Sequence, residues 1–379
     1  MSAQIPNYSQ LVDQAQIAVV KVGSALLVDD SGQVRTAWLE ALAADLAQLR
    51  EQGKRVVLVS SGAIRVGLKQ MGLKPGEKTL AEQQAAAALG QISLAQQYAN
   101  VFAKHNWPVG QMLLTASDTE ERRRYLNSRE TLRTLLANGA LPLVNENDSV
   151  STGEIRFGDN DRLAARVAGM IGADVLYLLS DIDGLYTANP REDASAQHVP
   201  LIEQAVSQEV EAMAGVVKVG YSSGGMVTKL AAARIALAAG CDMLIADGRE
   251  PAPLSRLAAG ERFTHFRADK SKHWARGSWL TGSLSASGAL VLDPGAVEAV
   301  RAGKSLLPAG VCAVQGDFQR GDIVSLEGPQ GQQVGRGLVL YDAVQAEQLV
   351  GVKSAKIAEI LGFTRGPNLV HADDLATFE

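Results

Sequence analysis

The chain has 379 residues, 46% of them apolar and 20% charged, and its 36 Lys+Arg against 41 Asp+Glu give a net charge of −5. At about 150 residues per domain, that length suits two or three domains. The apolar fraction excludes a disordered chain, and the acidic balance gives no electrostatic case for nucleic acid or an anionic membrane. The two cysteines, Cys241 and Cys312, are far apart and form no CxxC motif, so neither a disulfide framework nor a redox or metal pair is expected, and a reducing cytoplasm fits. Residues 1–16 are polar and lack the apolar core of a signal peptide. No run of about 18 apolar residues spans a membrane. Five scattered histidines without HExxH spacing make no metal site.

In chain order, residues 17–20 form a short β-branched run, and 36–50 place Leu39, Leu42, Leu46 and Leu49 at helical spacing. RVVLV at 55–59 is a buried-type strand, 81–102 and 118–135 read as helices, and 140–144 and 174–179 are further apolar strands. A helical stretch at 226–239 leads into a last strand at 241–246. Continuous apolar strands alternating with helices predict an α/β domain with a mainly parallel sheet covered on both faces. Residues 251–288 are mixed and polar. After them, short Val/Leu runs broken by Gly and Pro turns predict a small β-rich module. The expected boundaries are 14–265 for the first domain, 266–286 for a linker and 287–366 for the second domain.

Five loops follow predicted strands or open predicted helices. Lys21, Gly23 and Ser24 follow the first strand, where parallel α/β sheets bind ligands. Ser60, Ser61 and Gly62 follow the second and are small enough for backbone N–H groups to approach an anion, although Ser and Gly are also ordinary cap and turn residues. Residues 145–161, NENDSVSTGEIRFGDND, are dense in groups able to bind an amino acid's ammonium, and they lack the spacing of a calcium loop. Ser180 and Asp181 end another strand. Ser223, Gly224, Gly225, Met226, Val227, Thr228 and Lys229 enter a helix and offer backbone donors and a cation to phosphate. Neither GxxxxGK[ST] nor GxGxxG occurs. The triple arginine run at 122–124, offset by Glu120 and Glu121, reads as a solvated or subunit-contacting helix face.

In order and spacing, VNENDSV, GDNDRLAA, DGLYTANPR, SGGMVTK and the tail resemble the amino acid kinase family, and within it the branch that phosphorylates glutamate. The resemblance runs from Lys21 to about residue 374. It implies an open α/β/α sandwich around a mainly parallel sheet, and a tail similar to a PUA domain. Carried over by motif, Lys21 and Lys229 neutralise the transferring phosphoryl group and Asp161 orients them. Lys21, Gly23, Ser24, Ser180, Asp181 and the stretch Ser223, Gly224, Gly225, Met226, Val227, Thr228 and Lys229 hold ATP. Ser61, Gly62, Asp148 and Asn160 bind L-glutamate. Mg²⁺ would accompany the ATP phosphates, held mostly by phosphate and water. The product would be an acyl phosphate, made in the first step of proline biosynthesis. Feedback inhibition by proline, a dimer or tetramer, and a possible contact with the reductase that consumes the product are further implications.

The chemistry agrees. A γ-carboxylate with a reference pKa of about 4.3 is already ionised at neutral pH, so no general base and no positioned histidine are required. What is required is cations and N–H donors aimed at phosphoryl oxygens. The residues alone leave aspartate, N-acetylglutamate, carbamate or UMP open as acceptor. Three departures from the family pattern stand out: Tyr221, Ser222 and Ser223 before Gly224, Ser24-Ala25 after Gly23, and Ser180 where Thr is common. Between 287 and 366 seven basic residues face eight acidic ones, which argues against RNA binding by the tail and for a regulatory or assembly role.

Overall fold

The structure, a computed structural model, describes residues 8–73, 78–150, 160–203, 206–214, 225–269 and 286–378. They fall into two units, Met1–Lys270 and Ser271–Glu379. The strands of the first are β1 (Ile17–Val22), β2 (Arg55–Val59), β3 (Val109–Leu114), β4 (Leu141–Glu146), β5 (Val175–Ser180), a hairpin of β6 (Leu185–Tyr186) and β7 (His198–Val199), β8 (Leu201–Glu203), β9 (Asp242–Asp247) and β10 (Phe263–Arg267). Its helices are α1 (Tyr8–Gln14), α2 (Ser24–Leu27), α3 (Thr36–Glu51), α4 (Ala63–Gln70), α5 (Leu80–Ala103), α6 (Ala116–Glu120), α7 (Arg122–Ala137), α8 (Asn160–Ile171), α9 (Gln208–Met213), α10 (Met226–Ala238) and α11 (Pro253–Ala258).

Among the described residues the main sheet has the order β3-β4-β2-β1-β5-β9-β10-β8. Neighbours from β3 to β9 are parallel, β10 is antiparallel to β9, and β8 is parallel to β10. All six residues of β1 are buried, as a strand covered on both faces requires. Ala18, Val20 and Val22 pack with Leu39 and Leu42 of α3 and Leu94 and Tyr98 of α5. Ile17 and Val19 pack on the other face with Val167 of α8 and Leu230 of α10. The two-residue period of a strand then puts Lys21 on the face of Val19, the one covered by α8. In β5, Leu176 and Leu178 share that face, and Ser180 continues it.

This is the mainly parallel, two-sided sheet the sequence implies. The runs at 17–20, 55–59, 140–144, 174–179 and 241–246 lie in β1, β2, β4, β5 and β9, and 36–50, 81–102 and 226–239 lie in α3, α5 and α10. Four features differ. First, β1 continues to Val22, so Lys21 sits inside the strand and not after it. Second, residues 118–135 are two helices, because Glu121 is extended (φ −76, ψ 122) and serves as the N-cap of α7. Third, β3 went unread. Finally, α11 and the strand β10 lie at the end of the first domain, in a stretch with no predicted element, and β10 runs two residues past the expected boundary at 265.

The chain leaves β1 toward β2, builds β3 and β4 beyond it, and then returns to the opposite side of β1 as β5. That reversal is the topological switch point at which open α/β sheets bind ligands.

The second unit has a five-stranded sheet of β11 (Gly288–Leu292), β12 (Val311–Gly316), β13 (Ile323–Glu327), β14 (Gln333–Val339) and β15 (Val370–Thr377), in the order β12-β11-β13-β14-β15. Only the β11–β13 pair is parallel. Leu290, Phe318, Leu326, Tyr341 and Ile357 lie in a core of its own. In the first unit β10 runs to Arg267, and in the second β15 lies beyond residue 366.

Candidate active site

A cleft of about 320 Å³ opens at the C-terminal ends of β1, β2, β4 and β5. Lys21, Gly23 and Ser24 line it from β1 and the start of α2, Ser61 and Gly62 from the end of β2, Asp148 from the end of β4, and Ser180 and Asp181 from β5. Asn160 and Lys229 reach it from the first turns of α8 and α10.

At its floor, Asp161 is fully buried and bridges two lysines that are themselves buried. Lys21 Nζ lies 2.5 Å from Oδ1, and Lys229 Nζ 3.2 Å from Oδ2. Thr228 Oγ1 donates to the same Oδ2 at 3.0 Å. Burial alone would raise the pKa of Asp161, but the Lys21 and Lys229 ammoniums outweigh it and hold it down at about 2. Burial pulls the Lys21 ammonium below its usual value despite Asp161, and Lys229 adds to the pull. One carboxylate between two ammoniums leaves a net positive charge in a dry place. Such a charge is costly until an anion arrives.

The polar wall is built differently. Asn160 Nδ2 donates to the Ser60 carbonyl at 2.8 Å and to Asn145 Oδ1 at 3.0 Å, and lies 2.7 Å from Ser61 Oγ. Gly62 caps α4 with φ +102, a conformation suited to glycine, and a Cβ there would come 3.0 Å from Val28. Asp148 is half-buried, and burial pushes its carboxyl up to about 6. On the opposite wall, burial raises the Asp181 carboxyl, but the hydrogen bond from Arg191 at 3.2 Å and its neighbouring charge bring it below its usual value.

The structure therefore gathers Lys21, Gly23, Ser24, Ser61, Gly62, Asp148, Asn160, Ser180, Asp181 and Lys229 around one cleft, with Asp161 beneath it. Gly225, Met226 and Val227 stand at the start of α10 outside its lining, and Thr228 touches it through Asp161. Ser223 and Gly224, with the unusual residues 221–222, lie outside the described residues. Sequence reasoning missed Arg65, which lines the cleft four residues after Ser61 and pairs with Asp30 at 3.3 Å. It also missed Gln91, which binds Asn145 from α5. No local pattern marks a lone glutamine 54 residues from its partner.

The amino acid kinase family model matches residues 16–247, and the PUA domain model matches 288–361. A curated relative named glutamate 5-kinase from Paramagnetospirillum magneticum is 53% identical over 95% of this chain and 97% of its own length. Another of the same name from Caulobacter vibrioides is 52% identical over 96% and 97%. Among solved structures, a UMP kinase from Bacillus anthracis covers 67% of this chain and 97% of its own at 17% identity, with a TM-score of 0.46.

Proposed function

The chain belongs to the amino acid kinase family, and we propose that it transfers the γ-phosphoryl group of ATP to the γ-carboxylate of L-glutamate. The relatives' shared name supports this acceptor, and the site chemistry supports the transfer. A γ-carboxylate oxygen attacks the γ-phosphorus, the bond to the β–γ bridging oxygen breaks, and ADP leaves with that electron pair. No proton moves. The barrier lies in bringing one anion onto another, and it falls when fixed cations surround the phosphoryl oxygens. The observation that carries this reading is the buried Asp161 holding Lys21 and Lys229 on one cleft. The carboxylate keeps the two lysines in place, so they need not reorganise as charge shifts.

In this reading Gly23 and Ser24 line the phosphate path, Ser180, Asp181 and the start of α10 hold the nucleotide, and Ser61, Gly62, Asp148 and Asn160 hold glutamate. Mg²⁺ travels with the nucleotide. Among the described residues no group of three or more His, Cys, Asp or Glu could hold a metal ion. Asp161 and Asp181 are already engaged by cations. Mg²⁺ would be held mostly by the nucleotide phosphates and water, and no protein ligand is assigned. Proline, which shares glutamate's ammonium and α-carboxylate but has no γ-carboxylate, fits the same Asp148 and Asn160 wall as an inhibitor. Among the described residues no helix is long and apolar enough to cross a membrane; the cytoplasmic location and homo-oligomeric assembly in this reading follow from the family resemblance.

The test is ADP release from MgATP with glutamate, aspartate, N-acetylglutamate or no acceptor, with hydroxylamine present to trap acyl phosphate. Glutamate alone should give ADP and a hydroxamate. The Lys229→Ala variant should lose about 10²–10³-fold in kcat, the scale of one preorganised electrostatic group. Turnover with another acceptor would overturn the substrate. Near-normal kcat in the variant would overturn the phosphate site.

A further inference from the structure

Gln91 is buried in the middle of α5, and only half of its amide is used. Its Oε1 accepts from Asn145 Nδ2 at 2.7 Å, while its Nε2 has no partner among the described residues. A buried donor left unpaired costs stability, and an apolar residue would avoid that cost. The use of a glutamine here therefore lies in its oxygen.

That oxygen begins a row of three amides running head to tail toward the cleft. Asn145, buried on β4, gives its nitrogen to Gln91 and turns its oxygen the other way. There the oxygen accepts from the Glu146 backbone N–H at 2.9 Å and from Asn160 Nδ2 at 3.0 Å. The same Asn160 nitrogen donates to the Ser60 carbonyl at 2.8 Å and lies 2.7 Å from Ser61 Oγ. A backbone N–H can only donate and a carbonyl can only accept, so these two groups fix the polarity of the row. Asn160 lines the cleft, and the atom of its amide that has no partner among the described residues is Oδ1, which is buried. An acceptor-only atom in the wall that holds Asp148 suits an ammonium and repels a carboxylate.

We propose that Gln91 is a positioning residue for the acceptor. By holding Asn145, it keeps the Asn160 oxygen available to the α-ammonium and so helps the site prefer an amino dicarboxylate over a plain one. This rests on glutamate being the acceptor. Without the Gln91 oxygen, the Asn145 nitrogen would be buried unpaired. Its side chain would turn to find a partner, and Asn160 would lose one of the three oxygens around its amide nitrogen.

The test uses the full chain carrying Gln91→Met, which keeps length without an acceptor, and Gln91→Glu, which still accepts from Asn145. Kinetics are run with glutamate and with glutarate, which lacks the ammonium. Gln91→Met should raise the KM for glutamate about tenfold, the size of one hydrogen bond to a charged group. The kcat, the KM for ATP and kcat/KM for glutarate should stay within about twofold, so the preference for glutamate over glutarate narrows. Gln91→Glu should recover most of it. If Gln91→Met does not fold, Gln91→Leu takes its place. Equal losses with both acceptors, or an unchanged preference, would overturn the role of Gln91 alone. A wild type that does not turn over glutamate would overturn the functional reading and this inference with it.

Discussion

At the scale of single residues, the site contains two aspartates pushed in opposite directions. Asp161 is held at about 2 by two ammoniums, so it contributes stability above its unfolded value near 4, and that contribution fades as pH falls toward 2. Burial lifts Asp148 to about 6. Its neutral form is favoured in the folded chain, so its contribution to stability is present below about 4 and is lost as pH rises through about 6. In the proposed reading function has the reverse sign, because the substrate ammonium would bind the carboxylate form. The expected result is a kcat/KM for glutamate that is level above pH 6 and falls about tenfold per unit below it. In Asp148→Asn this acid limb should vanish and both glutamate and proline should bind more weakly. An unchanged profile in that variant would detach Asp148 from the ammonium. These charged residues were legible in the sequence because each follows a strand or opens a helix. Gln91 and Arg65 were not, since a residue inside a helix acquires its role only when the helix is docked.

At the scale of elements, the central strands were legible because burial on both faces demands unbroken apolar runs. By contrast, β3 is an edge strand whose residues are mostly half-exposed or exposed, and β10 buries Thr264 and His265, so neither carries that pattern. The break between α6 and α7 has no Gly or Pro to mark it. The helix pair α4 and α5 depends on a feature equally hard to foresee. A Cβ on Gly67 would fall 1.8 Å from the Ala86 carbonyl, and one on Gly90 would fall 1.9 Å from that of Ala63. The backbones touch, which fixes the start of α4 behind Ser61 and Gly62. Gly90→Ala must force them apart. Overpacking of this kind costs about 1–3 kcal/mol, which corresponds to a Tm loss of about 3–10 °C, and the KM for glutamate should rise with it. An unaltered Tm, read by calorimetry, would contradict this close approach.

At the scale of the whole molecule, both substrates are anions and the chain is net negative, so attraction toward the site is local, from the lysine pair, and not from the molecule at large. Each unit has its own sheet and its own core. A chain ending at Lys270 is therefore expected to fold and to retain glutamate-dependent ADP release, while its oligomeric state and its response to proline change. Complete loss of turnover in a folded truncation would show that the tail contributes to catalysis directly.

The reversal of strand order beside β1 also divides the work along the chain. Ser61, Gly62 and Asp148, which face the acceptor in this reading, all precede residue 150. Asp181 and Lys229, on the nucleotide side, follow it, while Lys21, Gly23 and Ser24 at the end of β1 and the pair Asn160 and Asp161 stand between the two. Drift in the loops after β2 and β4 can thus redraw what is phosphorylated while β1, β5 and α10 continue to read ATP. A lineage built on this sheet can acquire a new acceptor without losing its donor.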